Sequence, residues 1–406
     1  MSAAVAEETP AAPPAGIGRD SYLLAVSLFL LIAATNILTP LLPDIRNDFG
    51  VSIATAGVIV GSYGLARLII DLPAGFVVDR VGHLRVSVFG LILLAASSLL
   101  GLNAATVELL ILARVGAGVA AAILGTVILA GLGATATRTN RGKVMSFFHV
   151  ANNTGIAFYP MVGGLIGLAF GWRATFAVTA ALVVVAALTL IPVLLRIDPR
   201  RAPPSRTVEQ HPHVLHGRTR AIALAAINFG VLANMINRHG FRNTILPLYA
   251  ATALGLGGVS IATAIALMSI TGLMVATPGG MLGDRIGRRR IITTGLAAIA
   301  VGDLVFLLTN DLWTFLAASA LIGFGDFFAS SQTSLLSEVV PAERRTQVLG
   351  GYRFSADLGA FVGPIVLAAV MDLANAQAAI LVSVAILLTA SALSRFAVPV
   401  QGGSRA

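Results

Sequence analysis

The sequence predicts an all-α membrane protein: twelve transmembrane helices in two pseudo-symmetric six-helix bundles. Three observations carry this expectation. Of 406 residues, 57% are hydrophobic and 11% charged, with a mean hydropathy of +0.89, far outside soluble-domain composition. Apolar runs recur along the chain, each long enough at about 1.5 Å per residue to cross about 30 Å of hydrocarbon. The second half of the chain also repeats motifs of the first. Lipid offers no partner to an open backbone, and the runs far exceed the alternating segments of a barrel, so the spans are helices.

Taken in order, residues 1–20 form a polar, Pro/Ala-rich tail with no basic region before the first apolar run, so no cleavable signal is evident. Residues 21–196 form a first bundle, with spans at 21–43, 52–78, 86–105, 108–136, 143–170 and 173–195. Residues 197–219 form a linker rich in Pro and Arg. Residues 220–396 form a second bundle, with spans at 220–249, 258–282, 291–310, 312–339, 347–371 and 374–396, and residues 397–406 are a second tail. The linker histidines His211, His213 and His216 read either as a metal site or, without carboxylate or thiolate support, as solvated side chains. The absence of cysteine excludes disulfides, thiolate metal sites and cysteine nucleophiles.

The formal charge of +9 does not point to nucleic acid, because of where the charges fall. Basic residues concentrate in the tails and in the loops after even-numbered spans, which by the positive-inside rule places both termini in the cytoplasm of a plasma (inner) membrane protein.

The repeat is visible in the residues. DLPAGFVVDRVG (71–82) aligns with ATPGGMLGDRIG (276–287), and Gly155-x4-Pro160 aligns with Gly359-x4-Pro364. Six spans separate each pair, so the halves share one orientation, as in parallel repeats about an axis along the membrane normal.

On these motifs the chain resembles the major facilitator superfamily, and specifically its bacterial drug:proton antiporter branch. Gly75-x-x-x-Asp79-Arg80-x-Gly82-His83-x-Arg85 looks like the family's loop motif between spans 2 and 3. Its second copy is Gly280-x-x-x-Asp284-Arg285-x-Gly287-Arg288. The resemblance implies a latch holding the outward-facing state; physically, the Gly allows close helix approach and the basic cluster anchors topology. Arg114, opening a span-4 motif with Ala117 where Gln is usual, is implied in proton handling; the alternative is an Arg snorkelling to the interface. Gly155, Pro160, Gly163 and Gly164 resemble the antiporter motif of span 5, with Tyr159 where a Gly is usual. With Gly359, Gly363 and Pro364 of span 11 they read as helix-bending positions or as small-residue packing.

An Arg or Asp at membrane depth costs about 2.5–3.5 kcal/mol, so each needs a partner or a watered cavity. Arg67 with Asp71, and Arg353 with Asp357, sit at i and i+4 and are expected to neutralise one another within their helices. Arg242 and Asp326 have no local partner, so interhelical pairing is expected; Asp303 lies nearer the outer end and is less telling. Asp326 and Asp357 best fit a carboxylate that exchanges protons in a proton-coupled carrier; Arg242, Arg353, Asp71, Arg67 and Arg114 complete the coupling candidates, with static charge pairing as the alternative. Candidate cavity groups are Asn36, Tyr63, Phe148, Asn152, Asn153, Tyr159, Asn234, Asn237, Arg238, Tyr352 and Phe354.

The expected activity is therefore proton-coupled export of a small, partly apolar organic compound by alternating access, with a facilitator or proton symporter of a small metabolite as the alternative and a transporter-like membrane sensor as the remoter one. No cofactor, resident metal, nucleic acid or enzymatic chemistry is expected. No Ser/His/Asp spacing, zinc helix or phosphate loop is present. A monomer is what the resemblance implies.

Overall fold

The computed structural model describes residues 17–137, 140–197, 215, 217–329, 332–340 and 345–398. Residues 1–16 and 399–406 of the two tails, the linker between its described ends and the three linker histidines lie outside them. Among the described residues there is helix and no strand. Eleven segments are long and apolar enough to cross a membrane, and Leu312–Asp326 is a shorter apolar helix. With it the predicted twelve are accounted for.

The first half comprises α1 (Arg19–Asn36, carried on through a 3-10 turn at Thr39–Leu41 into Leu42–Phe49), α2 (Ile53–Val81), α3 (His83–Leu102), α4 (Val107–Thr135), α5 (Arg141–Phe170) and α6 (Ala174–Arg196). The second comprises α7 (Gly217–Met235, Ile236–Ile245, Leu246–Ala253), α8 (Gly258–Ile286), α9 (Arg288–Val305), α10 (Leu312–Ala329), α11 (Arg345–Leu373) and α12 (Ala376–Ala397).

Local chemistry sets the ends. The Ser52 hydroxyl accepts from the Thr55 amide at 3.1 Å and opens α2; Asn375 accepts from the Ala378 amide at 2.8 Å and opens α12. Between α2 and α3 the chain turns at Gly82 (φ 102°), and between α8 and α9 at Gly287 (φ 93°). A side chain is strained in this region, so the two motif glycines are required by the turn itself.

One element differs from expectation. The first span, expected at 21–43, runs on to Phe49, because Pro40 and Pro43 interrupt the hydrogen-bond ladder without ending the helical course. The span expected at 312–339 is helical over Leu312–Ala329 and Gln332–Val339, with residues 330 and 331 outside the described residues.

The pairing of helices repeats from half to half. In the first, α1 packs on α5 and α6, α2 on α4, and α3 on α4 and α6; in the second, α7 packs on α11 and α12, α8 on α10, and α9 on α10 and α12. Adding six to each label converts one set into the other, which is the pseudo-symmetry the repeats predicted. The buried cores divide in the same way, Leu94, Leu124 and Leu190 in one bundle and Ile299, Phe315 and Leu387 in the other. The seam between halves is formed chiefly by α2 against α11 and α5 against α8. Large apolar side chains such as Leu168, Leu188 and Phe396 stand exposed on the perimeter, where hydrocarbon covers them.

Candidate functional site

The halves enclose a cavity of about 420 Å³, lined from α1, α2, α3, α4, α5, α7, α8 and α11. Its depth is set by glycines. Along α2, Gly57, Gly61 and Gly64 press on α11. A Cβ at Gly61 would stand 2.8 Å from the Phe361 carbonyl oxygen and one at Gly64 2.7 Å from the Ala360 carbonyl carbon; at Gly57 it would meet the Pro364 carbonyl. Gly164 of α5 is equally close to Ala262 and Gly258 of α8. These contacts seal the seam away from the tails. Gly75, further along α2, faces open space. The expectation that Gly75 lets a neighbouring helix approach is therefore not met here: among the described residues nothing packs against that position.

Charged groups meet on its wall. Arg67 Nη2 lies 3.1 Å from Asp71 Oδ2, the i,i+4 contact expected within α2. The same guanidinium reaches across the seam, its Nε 3.4 Å from Asp357 Oδ1 of α11. Asp357 is buried, and the two carboxyl groups come within hydrogen-bond reach of one another. The ion-pair partner expected for Asp357, Arg353, lies one turn away on the same helix, exposed on the cavity wall and making no ion pair among the described residues. Self-neutralisation within α11 is thus corrected to pairing between halves: a helix places i and i+4 side by side, but the tighter partner arrives from α2.

At the sealed end, the Arg114 guanidinium lies 4.9 Å from the centre of the Tyr63 ring and donates to the Ala34 carbonyl at 3.0 Å, while Thr35 donates to the Tyr63 hydroxyl at 2.7 Å. Arg114 is buried within the bundle, which corrects the alternative of snorkelling to the interface.

Behind the α7 wall runs a buried polar chain. The middle of α7, Ile236–Ile245, is a π-helix, a widened turn that often marks functional positions. It carries Asn237, Arg238, His239 and Arg242. Arg242 pairs with Asp326 of α10 and donates through Nε to Asn237 Oδ1 at 3.0 Å. Asn237 donates to Asp303 Oδ2 at 2.6 Å and to the Ser383 hydroxyl at 3.0 Å, and Ser383 donates to Asp303 at 2.9 Å. Four helices, α7, α9, α10 and α12, are joined. Asp303 lies in the last turn of α9, toward the outer end, and is nonetheless fully buried. The signal available was its isolation, a lone carboxylate in an apolar helix.

Of the cavity candidates, Asn36, Tyr63, Phe148, Asn152, Arg238 and Tyr352 line the cavity. Asn153 is not among the lining residues and accepts from Asn152 at 3.3 Å. Asn234 and Asn237 are buried inside the second bundle. Tyr159 packs against Phe29 and Ile37 of α1, and Phe354 is 45% exposed off the cavity. The helix period decides each case: the face opposite the cavity turns to the bundle core or outward.

Gly155 packs on Ile32, Gly163 on the Ile37 carbonyl, and Gly359 and Gly363 on Ile236. The helices α5 and α11 continue through Pro160 and Pro364. These glycines act as close-packing positions in this conformation. Gly280, Asp284, Arg285, Gly287 and Arg288 lie where α8 turns into α9, as Asp79, Arg80, Gly82 and Arg85 lie where α2 turns into α3; the side chain of Asp284 lies outside the described residues.

The profile of the Major Facilitator Superfamily matches residues 24–239 and 227–405. Multidrug resistance protein 2 of Bacillus subtilis is 25% identical over 357 residues, covering 86% of this chain and 88% of that protein. The chloramphenicol resistance protein of Streptomyces lividans is 28% identical over 352 residues, with coverages of 86% and 88%. Quinolone resistance protein NorA of Staphylococcus aureus is 22% identical, with coverages of 88% and 91%. Among solved structures, a peptide transporter POT in complex with alafosfalin superposes with a TM-score of 0.79 at 15% identity, over 94% of this chain and 95% of that one. A bacterial homologue of the human lysosomal transporter Spinster gives 0.73 at 16% identity, over 94% and 97%. With both halves matched by the family profile and twelve helices folded around one central cavity, the chain belongs to the Major Facilitator Superfamily and is a membrane transporter, not an enzyme.

Proposed function

We propose that the chain exports a small, partly apolar organic compound in exchange for protons, by alternating access to the central cavity. The observation that carries this reading is the convergence of Asp71 from one half and Asp357 from the other on the single guanidinium of Arg67, on the wall of that cavity. Within this triad, two carboxylates against one guanidinium leave one negative charge in excess, which a proton removes. Protonating Asp357 withdraws its charge from Arg67, so the tie between α2 and α11 weakens; deprotonation restores it. A tie that depends on one proton and joins the two moving bodies is a means of linking proton binding to rocking of the halves.

The cargo arm of the reading is supported by the apolar wall supplied by Leu28, Leu31, Phe148 and Ile156 and by relatives named for resistance to several drugs, to chloramphenicol and to quinolones. The basic excess on the tail side supports placement in the plasma (inner) membrane with both termini in the cytoplasm. With that placement the cavity described here is the inward-facing one. The loops carrying Asp79 with Arg80 and Arg85, and Arg285 with Arg288, then serve as the latch when the tail side closes. The chain acts as a monomer in this reading, as each central cavity is complete within one chain.

The test uses protein in proteoliposomes loaded with a fluorescent lipophilic drug under an imposed pH gradient. Gradient-driven flux is expected in the unaltered chain and is lost in Asp357→Asn, with drug binding retained. Flux indifferent to the gradient in the unaltered chain favours a facilitator. Flux that still follows the gradient in Asp357→Asn and Asp71→Asn alike removes the carboxylate pair as the coupling group.

A further inference from the structure

The wall of the central cavity carries three guanidiniums, Arg67, Arg238 and Arg353, against the two carboxylates Asp71 and Asp357. Both carboxylates are held by Arg67, at 3.1 and 3.4 Å. Arg238 makes no hydrogen bond or ion pair among the described residues. The carboxylate whose field reaches it, that of Asp326, is already held by Arg242. Arg353 feels Asp357 without pairing with it. With His239 counted as neutral, the wall is one positive charge in excess when both carboxylates are ionised and two when the coupling proton sits on Asp357; Arg242, behind Arg238, is balanced by Asp326.

A guanidinium at this depth without a carboxylate is costly unless water or an anion supplies the missing partner. A cationic cargo would add to the uncompensated charge, whereas a monoanion removes one unit of it. The position also suits recognition: Arg238 enters from α7, Tyr352 faces it from α11, and both border the same cavity, so an oxyanion between them meets a forked donor and a hydroxyl donor together. The remaining wall is apolar, with Leu28, Leu31 and Phe148.

We propose that the cargo is an organic monoanion with an apolar body, its carboxylate or similar oxyanion held by Arg238 with Arg353 and Tyr352 at hand. This rests on the reading of the cavity as the cargo site. Desolvated in the cavity, such a pair gives preference for charge sign, while the apolar wall takes a range of bodies.

The full chain, purified in detergent, is titrated calorimetrically at neutral pH and low salt with three probes of one shape: 2-naphthoate, 2-naphthamide and 2-naphthylmethylammonium. The carboxylate is expected to bind about tenfold tighter than the amide, and the ammonium more weakly than either. Arg238→Gln is expected to erase the preference for the carboxylate while holding the amide affinity within about twofold; Arg238→Lys, which keeps the charge, retains most of it. Equal or tighter binding of the ammonium, a carboxylate preference that survives Arg238→Gln, or no discrimination among the probes by the unaltered chain overturns the proposal. The unaltered chain alone decides between charge signs, so a variant that fails to fold does not protect the idea. Because no pH gradient is present, the outcome is separate from proton coupling: gradient-driven drug flux without anion preference removes only the cargo class, and anion preference without a response to the gradient removes only the coupling.

Discussion

Arg67 Nε and Asp357 Oδ1 lie 3.4 Å apart across the seam between the two halves, and the same guanidinium holds Asp71 of its own helix. One side chain thus couples a contact within a helix to a contact between bundles. Arg67→Gln leaves the two carboxyl groups facing each other without their cation. A dry pair broken in this way costs about 3–5 kcal/mol. The Arg67 side chain is 39% exposed to the cavity, so solvent screening lowers the expected loss to about 1–2 kcal/mol. Adding Asp357→Asn to Arg67→Gln is expected to recover part of it, read as the unfolding midpoint in detergent. A double variant whose loss equals the sum of the single losses would show that the three groups do not act as a unit.

Arg242 with Asp326 sits in a drier place, the Arg242 side chain being 7% exposed. Asp326→Asn is expected to destabilise by about 3–5 kcal/mol, since it leaves a buried guanidinium without its charge partner. Asn237→Ala, which cuts the bridge to Asp303 and Ser383, is expected to lose about 2–4 kcal/mol from polar groups left unpaired. Thermal unfolding in detergent measures both. Losses under about 0.5 kcal/mol would mean that water replaces the partners and that the chain of hydrogen bonds is not dry.

Closure away from the tails depends on glycine contacts. A side chain at Gly64 would strike the Ala360 backbone at 2.7 Å, with no flexible group to move aside. Gly64→Leu is expected to force α2 from α11 there, lengthening spin-label distances between the loops on that side. Transport should fall by more than about tenfold, because one of the two alternating states is lost. Unchanged distances would show that the seam yields elsewhere.

Gly82→Ala and Gly287→Ala place a Cβ where φ is 102° and 93°. Each is expected to cost about 1–3 kcal/mol of local strain, read as faster hydrogen exchange at the starts of α3 and α9. A stability equal to the unaltered chain would show that the turn readily adopts another backbone conformation.

Phe354→Ala removes an aromatic that is 45% exposed and outside the cavity. Drug affinity and flux are expected to stay within about twofold, whereas Phe148→Ala, on the cavity wall, is expected to weaken binding by about tenfold through lost apolar contact. The reverse order, measured by drug titration, would reassign the cavity wall.

Much of this molecule is written in its sequence because lipid is a severe solvent. Apolar runs such as Val107–Thr135 have to be helices, and the copies at 71–82 and 276–287 have to place their glycines at equivalent turns, whatever surrounds them. The bare requirement that Arg242 and Asp326 find distant partners was equally legible, since neither has an opposite charge one turn away. The tertiary structure decided which partners they found. Asp357 prefers Arg67 to its own Arg353, Asp303 is drawn into the second bundle by Asn237 and Ser383, and Tyr159 and Phe354 turn from the cavity. A single chain fixes the helical face on which a residue lies, but contact depends on rotation and separation of neighbouring helices. Those follow from the packing of Gly64, Gly164 and their partners across the seam, which no local pattern encodes.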